Sequence, residues 1–390
     1  MKNMKRALAL FLTLAMICAT MAGCGGTADS TPPAASGPEG SAAGTEKSGT
    51  TFGLTPLDKP TTLRVGFFSG SAHSMPFYIA DKMGFFKELN IDVEYESFIN
   101  GPAMMEVSSN WDVCDVGGPG VLNGMKNHDV HMIGLCDNEL NTALFVRPDS
   151  DLAKDPANPD LWKGKTIILN SGTTLQYMCA SYLKSIGSSI NDVNIVSMDV
   201  TSSLTAFKAG QGDAVCAWNA VAYNADDSGL VRVTDMSEMG LNNVCGLCAT
   251  GDAVKNKADL LKLTWMVYYM TAAWCQESDE NMSKAVELYV QSCEDEGVAS
   301  SESICERALK IFKCPSVKES YTDMTTKVTD RSGSGEVLQA TNYLFETLDF
   351  FIGLGSYTAA DRKNILDKGL VDSSIAESCK DTLTQLGYLS

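Results

Sequence analysis

The sequence predicts an α/β protein with mostly parallel sheets, because short strand-like and helix-like segments alternate along most of the chain. The first unit joins a strand over 62–68, a loop over 69–74, a helix from Met75 and a strand over 91–95. Helices of about ten residues between short strands are typical of parallel sheets, in which each helix crosses from one strand to the next. The same order begins again at Lys165, which predicts two lobes of similar plan.

The first helix carries recognisable end signals. Ser74 is placed to cap it, Pro76 fits its first turn, and Gly84 suits a left-handed end. The pattern continues with further elements, which we expect as a helix over 102–109, a strand over 113–116, a helix after 117–120, and strands over 131–136 and 143–146. We expect the last of these strands to cross between the lobes.

The second unit repeats the plan of the first. A strand over 166–170 and a tight loop precede a helix with Leu175, Met178 and Tyr182 at helical spacing, which Gly187 ends. The next elements are a strand over 193–198, a helix over 202–209 and a strand over 214–218. In both units an aspartate follows a helix and a small polar turn, so we expect Asp115 and Asp213 to occupy similar places.

The remainder of the chain is expected to be helical. The segment 260–275 is apolar and carries Lys262, and it is shorter than the roughly 20 apolar residues that a membrane span needs. We therefore predict a core helix there, and another amphipathic helix over 341–353.

The N-terminus has the order of a secretory signal. Three cations within residues 2–6 precede an apolar run over 7–18, and the run ends in Met-Ala-Gly before Cys24, which resembles a bacterial lipobox. We expect a signal peptide over 1–23, lipidation of Cys24, and a flexible tether over 24–60 rich in Gly, Ser, Ala, Thr and Pro. The protein would then be held by its lipid at the extracytoplasmic face of the cell membrane. An ordinary signal peptide with a chance cysteine is the alternative.

The charge balance restricts the partners. The net charge is −18 and becomes −21 (−18 − 3) once the three signal-peptide cations are removed. Nucleic acids and anionic lipids are recognised by basic patches, so neither is expected as a partner. A small anionic ligand remains compatible, because backbone amides and helix termini can bind an anion in a buried site.

Of the thirteen cysteines, eleven follow Cys24, which leaves an odd number to pair. Many lie in apolar stretches, where cysteine behaves as a small buried hydrophobe. Cys245 and Cys248 form the CxxC motif of the chain, but no second CxxC lies nearby and the three histidines are remote in sequence. We expect core thiols or one local disulfide, no metal site and no cofactor.

Four loops are candidates for ligand contact, since ligands of open parallel sheets lie at the carboxyl ends of strands beside helix starts. They span 69–74, 117–120, 171–174 and 218–219. The loop 171–174 gives the strongest signal, because glycine admits a close approach while Thr173, Thr174 and free helix N–H groups face the same way. A helix N-terminus of this kind suits a sulfonate, carboxylate, phosphate or nitrate. The alternative is that Thr173 caps its helix and does not contact a ligand.

The other loops add aromatic and polar groups. Trp218 can stack on a ligand or close the core, and Asn219 can hydrogen-bond a ligand. His73 is a candidate from the first loop, and Tyr78 from the first helix. The candidate ligand-binding residues are Ser69, Ser71, His73, Tyr78, Gly118, Thr173, Thr174, Trp218 and Asn219.

No catalytic residue is expected. Gly164-Lys165-Thr166 imitates the end of a phosphate-binding loop, but Pro159 stands where the first glycine is needed. The sequence has no G-x-S-x-G elbow and no H-E-x-x-H helix.

Several segments together resemble a known family, the nitrate/sulfonate/taurine class of solute-binding proteins of ABC importers, which also includes binders of thiamine-pyrimidine precursors. The segments are 75–86, Asp115-Val-Gly117, 163–174 and 207–218, in family order and spacing. The resemblance implies a two-lobed clamp of the periplasmic-binding-protein kind, with lobe 1 formed by 61–146 plus 249–390 and lobe 2 by 147–248. It also implies a monomer that binds a small sulfonate, taurine or nitrate-like solute between its lobes and delivers it to a permease and its ATPase.

The chain departs from the family pattern after Trp218. Asn219 and Ala220 stand where the family has an acidic or polar residue followed by proline, and no arginine occurs in the four loops. A pyrimidine-precursor binder, a related enzyme of the same fold and a ligand-sensing module are therefore kept as alternatives.

Overall fold

Two five-stranded sheets form the framework of the protein, whose computed structural model describes residues 49–389. The strands are β1 Thr61–Phe68, β2 Ile91–Phe98, β3 Val113–Gly117, β4 Val130–Leu135, β5 Ala143–Val146, β6 Thr166–Leu169, β7 Asn194–Ser197, β8 Ala214–Ala217, β9 Val231–Asp235, β10 Cys245–Thr250, β11 Lys327–Thr329 and β12 Glu336–Leu338. The last two form a separate hairpin.

Helices cover the sheets and make up most of the C-terminal part. They are α1 Met75–Lys82, α2 Gly101–Glu106, α3 Gly118–Asn127, α4 Asp151–Lys154, α5 Pro159–Trp162, α6 Thr174–Ser185, α7 Val200–Lys208, α8 Asn219–Asp227, α9 Gly251–Asn256, α10 Ala258–Glu277, α11 Asp279–Asp295, α12 Glu302–Ile311, α13 Val317–Thr325, α14 Gln339–Gly353, α15 Ala359–Lys368, α16 Ser374–Ser378 and α17 Lys380–Gln385. Single 3-10 turns lie at Ala72–Ser74, Lys87–Leu89, Ser108–Asn110 and Ile190–Asp192.

The two sheets have matching topologies. The first has the order β2-β1-β3-β10-β4 and the second β7-β6-β8-β5-β9. In each sheet two pairings are parallel, β1 with β2 and β3, and β6 with β7 and β8. Each sheet also contains one strand that follows a crossing segment, β10 in the first sheet and β5 in the second. This strand pairs antiparallel with both of its neighbours. The predicted α/β class is confirmed, and these inserted strands explain why the sheets are mixed.

The internal repeat has a different register from the one we expected. Asp112, and not Asp115, corresponds to Asp213. The N–H of Asp112 donates to the carbonyl of Arg64 at 2.8 Å, and the Asp112 carboxylate accepts from the Arg64 N–H at 3.1 Å. Asp213 makes the same two bonds with Thr166, at 2.7 and 2.8 Å. Each aspartate therefore joins two adjacent parallel strands, whereas Asp115 lies within β3 and points into the core.

The helix α10 crosses the core of the first sheet, as the sequence predicted. Its aromatic residues Trp265 and Tyr269 are fully buried, and they donate to the carbonyls of Ile133 at 3.0 Å and Leu135 at 2.7 Å. Buried Trp and Tyr need such partners for their polar atoms. Within residues 49–389, no helix combines the length and the apolar character that a membrane span requires.

Packed residues occur up to about ten positions before the expected tether boundary at residue 60. Phe52 packs edge-on against Phe85 with ring centroids 4.7 Å apart, Leu54 is buried, and Thr51 hydrogen-bonds Glu88. Residues 49–60 therefore pack on the domain, because two apolar side chains find partners there. The expected signal peptide and the lipidated Cys24 lie outside the described residues.

The eleven cysteines of the described residues are free thiols, ten of them buried. Cys245 and Cys248 both belong to β10, where residues three positions apart point to opposite faces. They cannot form a disulfide in this conformation, since a disulfide needs Cβ atoms about 4 Å apart. The alternative of a local disulfide at this motif is therefore not realised in this structure.

Candidate functional site

Two crossing segments, 136–142 and 236–244, connect the sheets and lie side by side. The N–H of Cys136 donates to the carbonyl of Cys245 at 2.8 Å, and the N–H of Cys245 donates to the carbonyl of Asp137 at 2.8 Å. These ladder bonds fix Asp137 and Glu139 beside the start of β10. The carboxyl ends of the parallel strands of both sheets face this place.

A small cavity of about 20 Å³ lies between the sheets. That volume corresponds to about one water molecule. Its wall includes residues of the crossing segment and of both sheets, namely Phe68, Gly117, Glu139, Thr173, Thr174 and Trp218. The space between the two sheets is therefore too small for a solute in this structure.

Glu139 is the centre of the polar contacts in the cleft. Its carboxylate accepts hydrogen bonds from the hydroxyl of Thr174 at 2.5 Å and from the amide of Asn243 at 2.8 Å. The hydroxyl of Thr347 in turn donates to the Asn243 side chain at 3.3 Å. Glu139 has a φ of 41°, which is uncommon outside glycine and costs energy that its surroundings must offset. The structure thus holds this carboxylate in one defined position.

His73 lies behind Glu139 and is almost fully buried. Its Nδ1 bonds the carboxylate of Asp115, which also accepts from the Ser74 hydroxyl at 2.7 Å, and its Nε2 lies 3.7 Å from Glu139 Oε1. Burial by itself lowers the pKa of His73, but the charge and hydrogen bond of Asp115, with the nearby carboxylates of Glu139 and Asp137, raise the pKa well above its usual value. Burial also raises the pKa of the Asp137 carboxyl.

Aromatic rings cover one side of this polar group. Phe68 stacks on His73 with ring centroids 5.7 Å apart and an interplanar angle of 18°. The edge of Trp218 meets Phe68 at 5.8 Å. Since Phe68 and Trp218 both line the cavity, the cleft combines flat apolar surfaces with the acidic group.

Four of the predicted residues lie at the cleft. Thr173 caps α6 and donates to the carbonyl of Asn170 at 2.6 Å, so its hydroxyl serves the loop, whereas Thr174 is bonded to Glu139. Trp218 closes the aromatic wall. Gly118 begins α3 beside Asn243, and a Cβ on it would meet Asn243 Oδ1 at 2.8 Å.

Apart from His73, which is described above, the other predicted residues do not line the small cavity. Ser69 donates to Glu296 at 2.9 Å and Tyr78 donates to Asp295 at 3.0 Å, so both side chains face the end of α11. The hydroxyl of Ser71 is buried and has no hydrogen-bond partner among residues 49–389. Asn219 has a φ of 49° at the start of α8, and its carbonyl accepts from Asn141 at 3.0 Å.

Sequence reasoning did not single out Asp137, Glu139, Asn243 or Thr347. The first three belong to the crossing segments, which carry no strand or helix pattern, and Thr347 lies inside a helix. The polar run Asp137-Asn138-Glu139 directly after a buried strand was the available signal.

A second, larger cavity of about 680 Å³ lies on the other side of the crossing segments. Asp137 and Asn242 of the crossing segments line it, together with Cys314 and Asp323 near or within α13. We call it the hinge cavity. Asp137 thus has the hinge cavity on one side and the buried group around His73 on the other.

Two lobes joined by two crossing segments around a buried polar cleft define the periplasmic-binding-protein type of fold. The nitrate-binding protein NrtA of Synechocystis superposes with a TM-score of 0.63 at 12% identity, covering 85% of this chain and 90% of that one. The alkanesulfonate-binding protein SsuA of Xanthomonas axonopodis, bound to MOPS, gives 0.55 at 16% identity over 66% of this chain and 86% of that one.

The sequence model of the family described as NMT1/THI5 like matches residues 71–280. The chain therefore belongs to the NMT1/THI5-like family. A Brachyspira hyodysenteriae protein named as an ABC transporter periplasmic binding protein is 25% identical over 238 residues, which are 57% of this chain and 67% of that protein. The family resemblance drawn from the sequence is confirmed.

Proposed function

We propose that this protein is the solute-binding component of an ABC importer, which captures a small molecule between its lobes and presents it, unchanged, to a permease. Membership in the NMT1/THI5-like family and the relative in Brachyspira support this proposal. The observation that carries it is the closed cleft, in which Thr174 of one sheet region bonds Glu139 of the crossing segment. Separation and closure of two lobes around such a cleft is the way in which proteins of this fold capture a solute.

The cleft favours a solute with hydrogen-bond donors or positive charge over a simple anion. None of the cavity-lining residues that the structure describes is lysine or arginine, and Glu139 lies in the wall. Two like charges about 4 Å apart repel by about 4 kcal/mol near a protein surface. A nitrate or alkyl sulfonate next to Glu139 would meet this repulsion.

The N-terminus of α6 gives a second reason to expect a solute that is not a simple anion. A helix N-terminus attracts anions, and the loop before α6 was the expected anion site. The Glu139 carboxylate already lies there, bonded to Thr174, the first residue of the helix. A carboxylate of the protein therefore lies next to the place where we expected a nitrate or sulfonate to bind.

Of the ligands expected from the sequence, an amino-substituted pyrimidine precursor fits these features best. Its amino groups donate to Glu139, and its planar ring can stack on Trp218 once the lobes open. Taurine is the second candidate, because its ammonium group can pair with the same carboxylate.

The remaining parts of the proposal concern the arrangement in the cell. We propose that the protein works as a monomer with two lobes. The expected bounds, 61–146 with 249–390 for lobe 1 and 147–248 for lobe 2, need correction, because β5 pairs in the second sheet and β10 in the first. The lobe boundaries that we propose therefore lie in the crossing segments 136–142 and 236–244. The motif before Cys24 supports a lipid anchor at the extracytoplasmic face of the membrane. The permease and its ATPase are then the partners at the same membrane.

Titration calorimetry of the purified protein with aminopyrimidines, taurine, nitrate and alkyl sulfonates, in buffer with a chelator, tests the ligand class. We expect binding of an aminopyrimidine or taurine, and recovery of the same compound after incubation. Tight binding of nitrate with no binding of the amines would overturn the ligand class, and consumption of the ligand would indicate an enzyme.

A pair of variants links the result to the cleft. Glu139→Gln removes the carboxylate charge in the wall, so the affinity for an amine should fall by about 10-fold or more. Glu238→Gln, at an exposed position after β9, is the matched control and should leave the affinity unchanged. Equal solute affinities of the two variants would show that the solute does not contact Glu139.

A further inference from the structure

We propose that His73, Glu139 and Cys245 form a binding site for one divalent transition-metal ion of the Zn²⁺ class, next to the cleft. A metal site was not expected from the sequence, since the three residues are 66 and 106 positions apart along the chain. The crossing segments bring them together. The site shares Glu139 with the cleft, but its ion can be measured in the absence of any solute.

The donor atoms are close enough for a single ion. The three side chains each offer one atom, and all of these atoms lie within 4.8 Å of one another. His73 Nε2 and Glu139 Oε1 are 3.7 Å apart. Ligand atoms about 2.0–2.3 Å from a tetrahedral ion are about 3.3–3.8 Å apart, so the widest pair must close by roughly 1 Å.

His73 Nε2 is an unsatisfied buried atom. It has no hydrogen-bond partner among the described residues, and the residue is 1% exposed. A buried polar atom without a partner is costly, so it calls for an explanation. An ion between Nε2, Glu139 and Cys245 supplies the missing partner.

The other ring nitrogen is held as metal-binding histidines usually are. Nδ1 bonds the buried carboxylate of Asp115, which is itself fixed by the Ser74 hydroxyl at 2.7 and 2.9 Å. The hydroxyl of Tyr268 donates to the His73 carbonyl at 2.6 Å. A carboxylate on the far nitrogen orients the ring and makes Nε2 a better ligand.

The set of donors selects the class of metal. One imidazole nitrogen, one carboxylate oxygen and one thiolate sulfur suit Zn²⁺ and its neighbours Co²⁺ and Fe²⁺, whereas Mg²⁺ and Ca²⁺ prefer oxygen alone.

The electrostatics of the buried group also favour a cation. Asp115 bonds Nδ1 of His73, and Glu139 Oε1 lies 3.7 Å from Nε2, so two buried carboxyl groups flank a single imidazole. Buried acidic groups need a counter-charge, and a divalent ion bonded to one of them provides it. The ion can reach them through the hinge cavity, because Asp137 lines it.

Cobalt titration of the purified protein, freed of metal by a chelator and without solute, tests this site. We expect thiolate-to-Co²⁺ charge-transfer absorption that saturates at one ion per chain, disappears on addition of Zn²⁺, and is accompanied by a higher Tm with Zn²⁺. Absence of this absorption in the folded wild-type protein overturns the proposal, and this result needs no variant.

Variants then assign the ligands. Cys245→Ser should abolish the charge-transfer band, and Asp115→Asn should weaken Co²⁺ binding by about 10- to 100-fold. Cys248→Ser, in the same strand but on the opposite face, and His131→Asn are matched controls that should bind as the wild type does. A band that survives in Cys245→Ser would assign the ion to another thiol and overturn the site. Failure of solute binding leaves these results unaffected.

Discussion

Thr174 donates its hydroxyl hydrogen to Glu139 at 2.5 Å, and the amide of Asn243 lies 3.0 Å from the same hydroxyl. These three residues come from the start of α6 and from the two crossing segments. This group of hydrogen bonds therefore links α6, which belongs with the second sheet, to both crossing segments. It is the polar part of the closed state.

Loss of this contact should weaken solute binding. Thr174→Val keeps the shape of the side chain and removes the hydroxyl, which leaves the buried Glu139 carboxylate with one donor fewer. A hydrogen bond to a charged group is worth about 1.5–3 kcal/mol, so solute affinity measured by calorimetry should fall by about 10- to 100-fold.

Thr173→Ala is the matched comparison for this prediction. The Thr173 hydroxyl bonds within its own loop and caps α6, so its loss should cost about 1 kcal/mol of folding stability and little affinity. An affinity loss that is larger for Thr173→Ala than for Thr174→Val would contradict the assignment of the two hydroxyls.

Closure of the lobes should also depend on Gly117. A Cβ at this position would lie 2.7 Å from both Glu139 Oε2 and Thr174 Oγ1. Gly117→Ala should therefore push the lobes apart, lower solute affinity by at least about 10-fold and enlarge the radius of gyration seen by small-angle scattering. Gly353→Ala, at the end of α14 with open space around it, is the control. Unchanged affinity and size in both variants would show that the closed contact is not needed.

The fold could be predicted from the sequence because its signals are local. Caps such as Thr173, glycine stops such as Gly187 and the apolar runs of the strands each report on their own neighbourhood. The repeat register was wrong because two aspartates, Asp112 and Asp115, stand three residues apart. Only the pairing of the strands shows which of them bridges to the neighbouring strand.

The candidate site was predicted less completely. Thr174 and Trp218 stand at strand ends, where the rule for open sheets places ligand contacts. Glu139 and Asn243 lie in irregular segments whose path depends on how the two sheets pack. Their distance along the chain, 104 positions, carries no information about their contact.

The corrected repeat register predicts unequal roles for the two bridging aspartates. Asp112 is fully buried and also bonds the side chains of Arg64 and Lys257, at 2.5 and 2.8 Å, whereas Asp213 is 38% exposed. Removing one partner of a buried charge group costs about 3 kcal/mol, but an exposed pair contributes about 1 kcal/mol or less. Asp112→Ala should therefore lower the Tm clearly more than Asp213→Ala. Similar shifts in thermal unfolding would contradict the importance of burial here.

The hinge cavity should make stability depend on pH through Asp323. Burial, with the nearby charge of Glu319, raises the pKa of Asp323 to about 6 from 3.8, although a hydrogen bond from Gln339 opposes the shift. The folded state then binds a proton more tightly than the unfolded state does. The stability contribution of Asp323 is fully present below pH 3.8 and is lost as the pH rises through about 6. Asp323→Asn should therefore raise the Tm relative to the wild type at pH 7.5 more than at pH 4.5. A Tm difference for Asp323→Asn that does not change with pH would contradict the prediction.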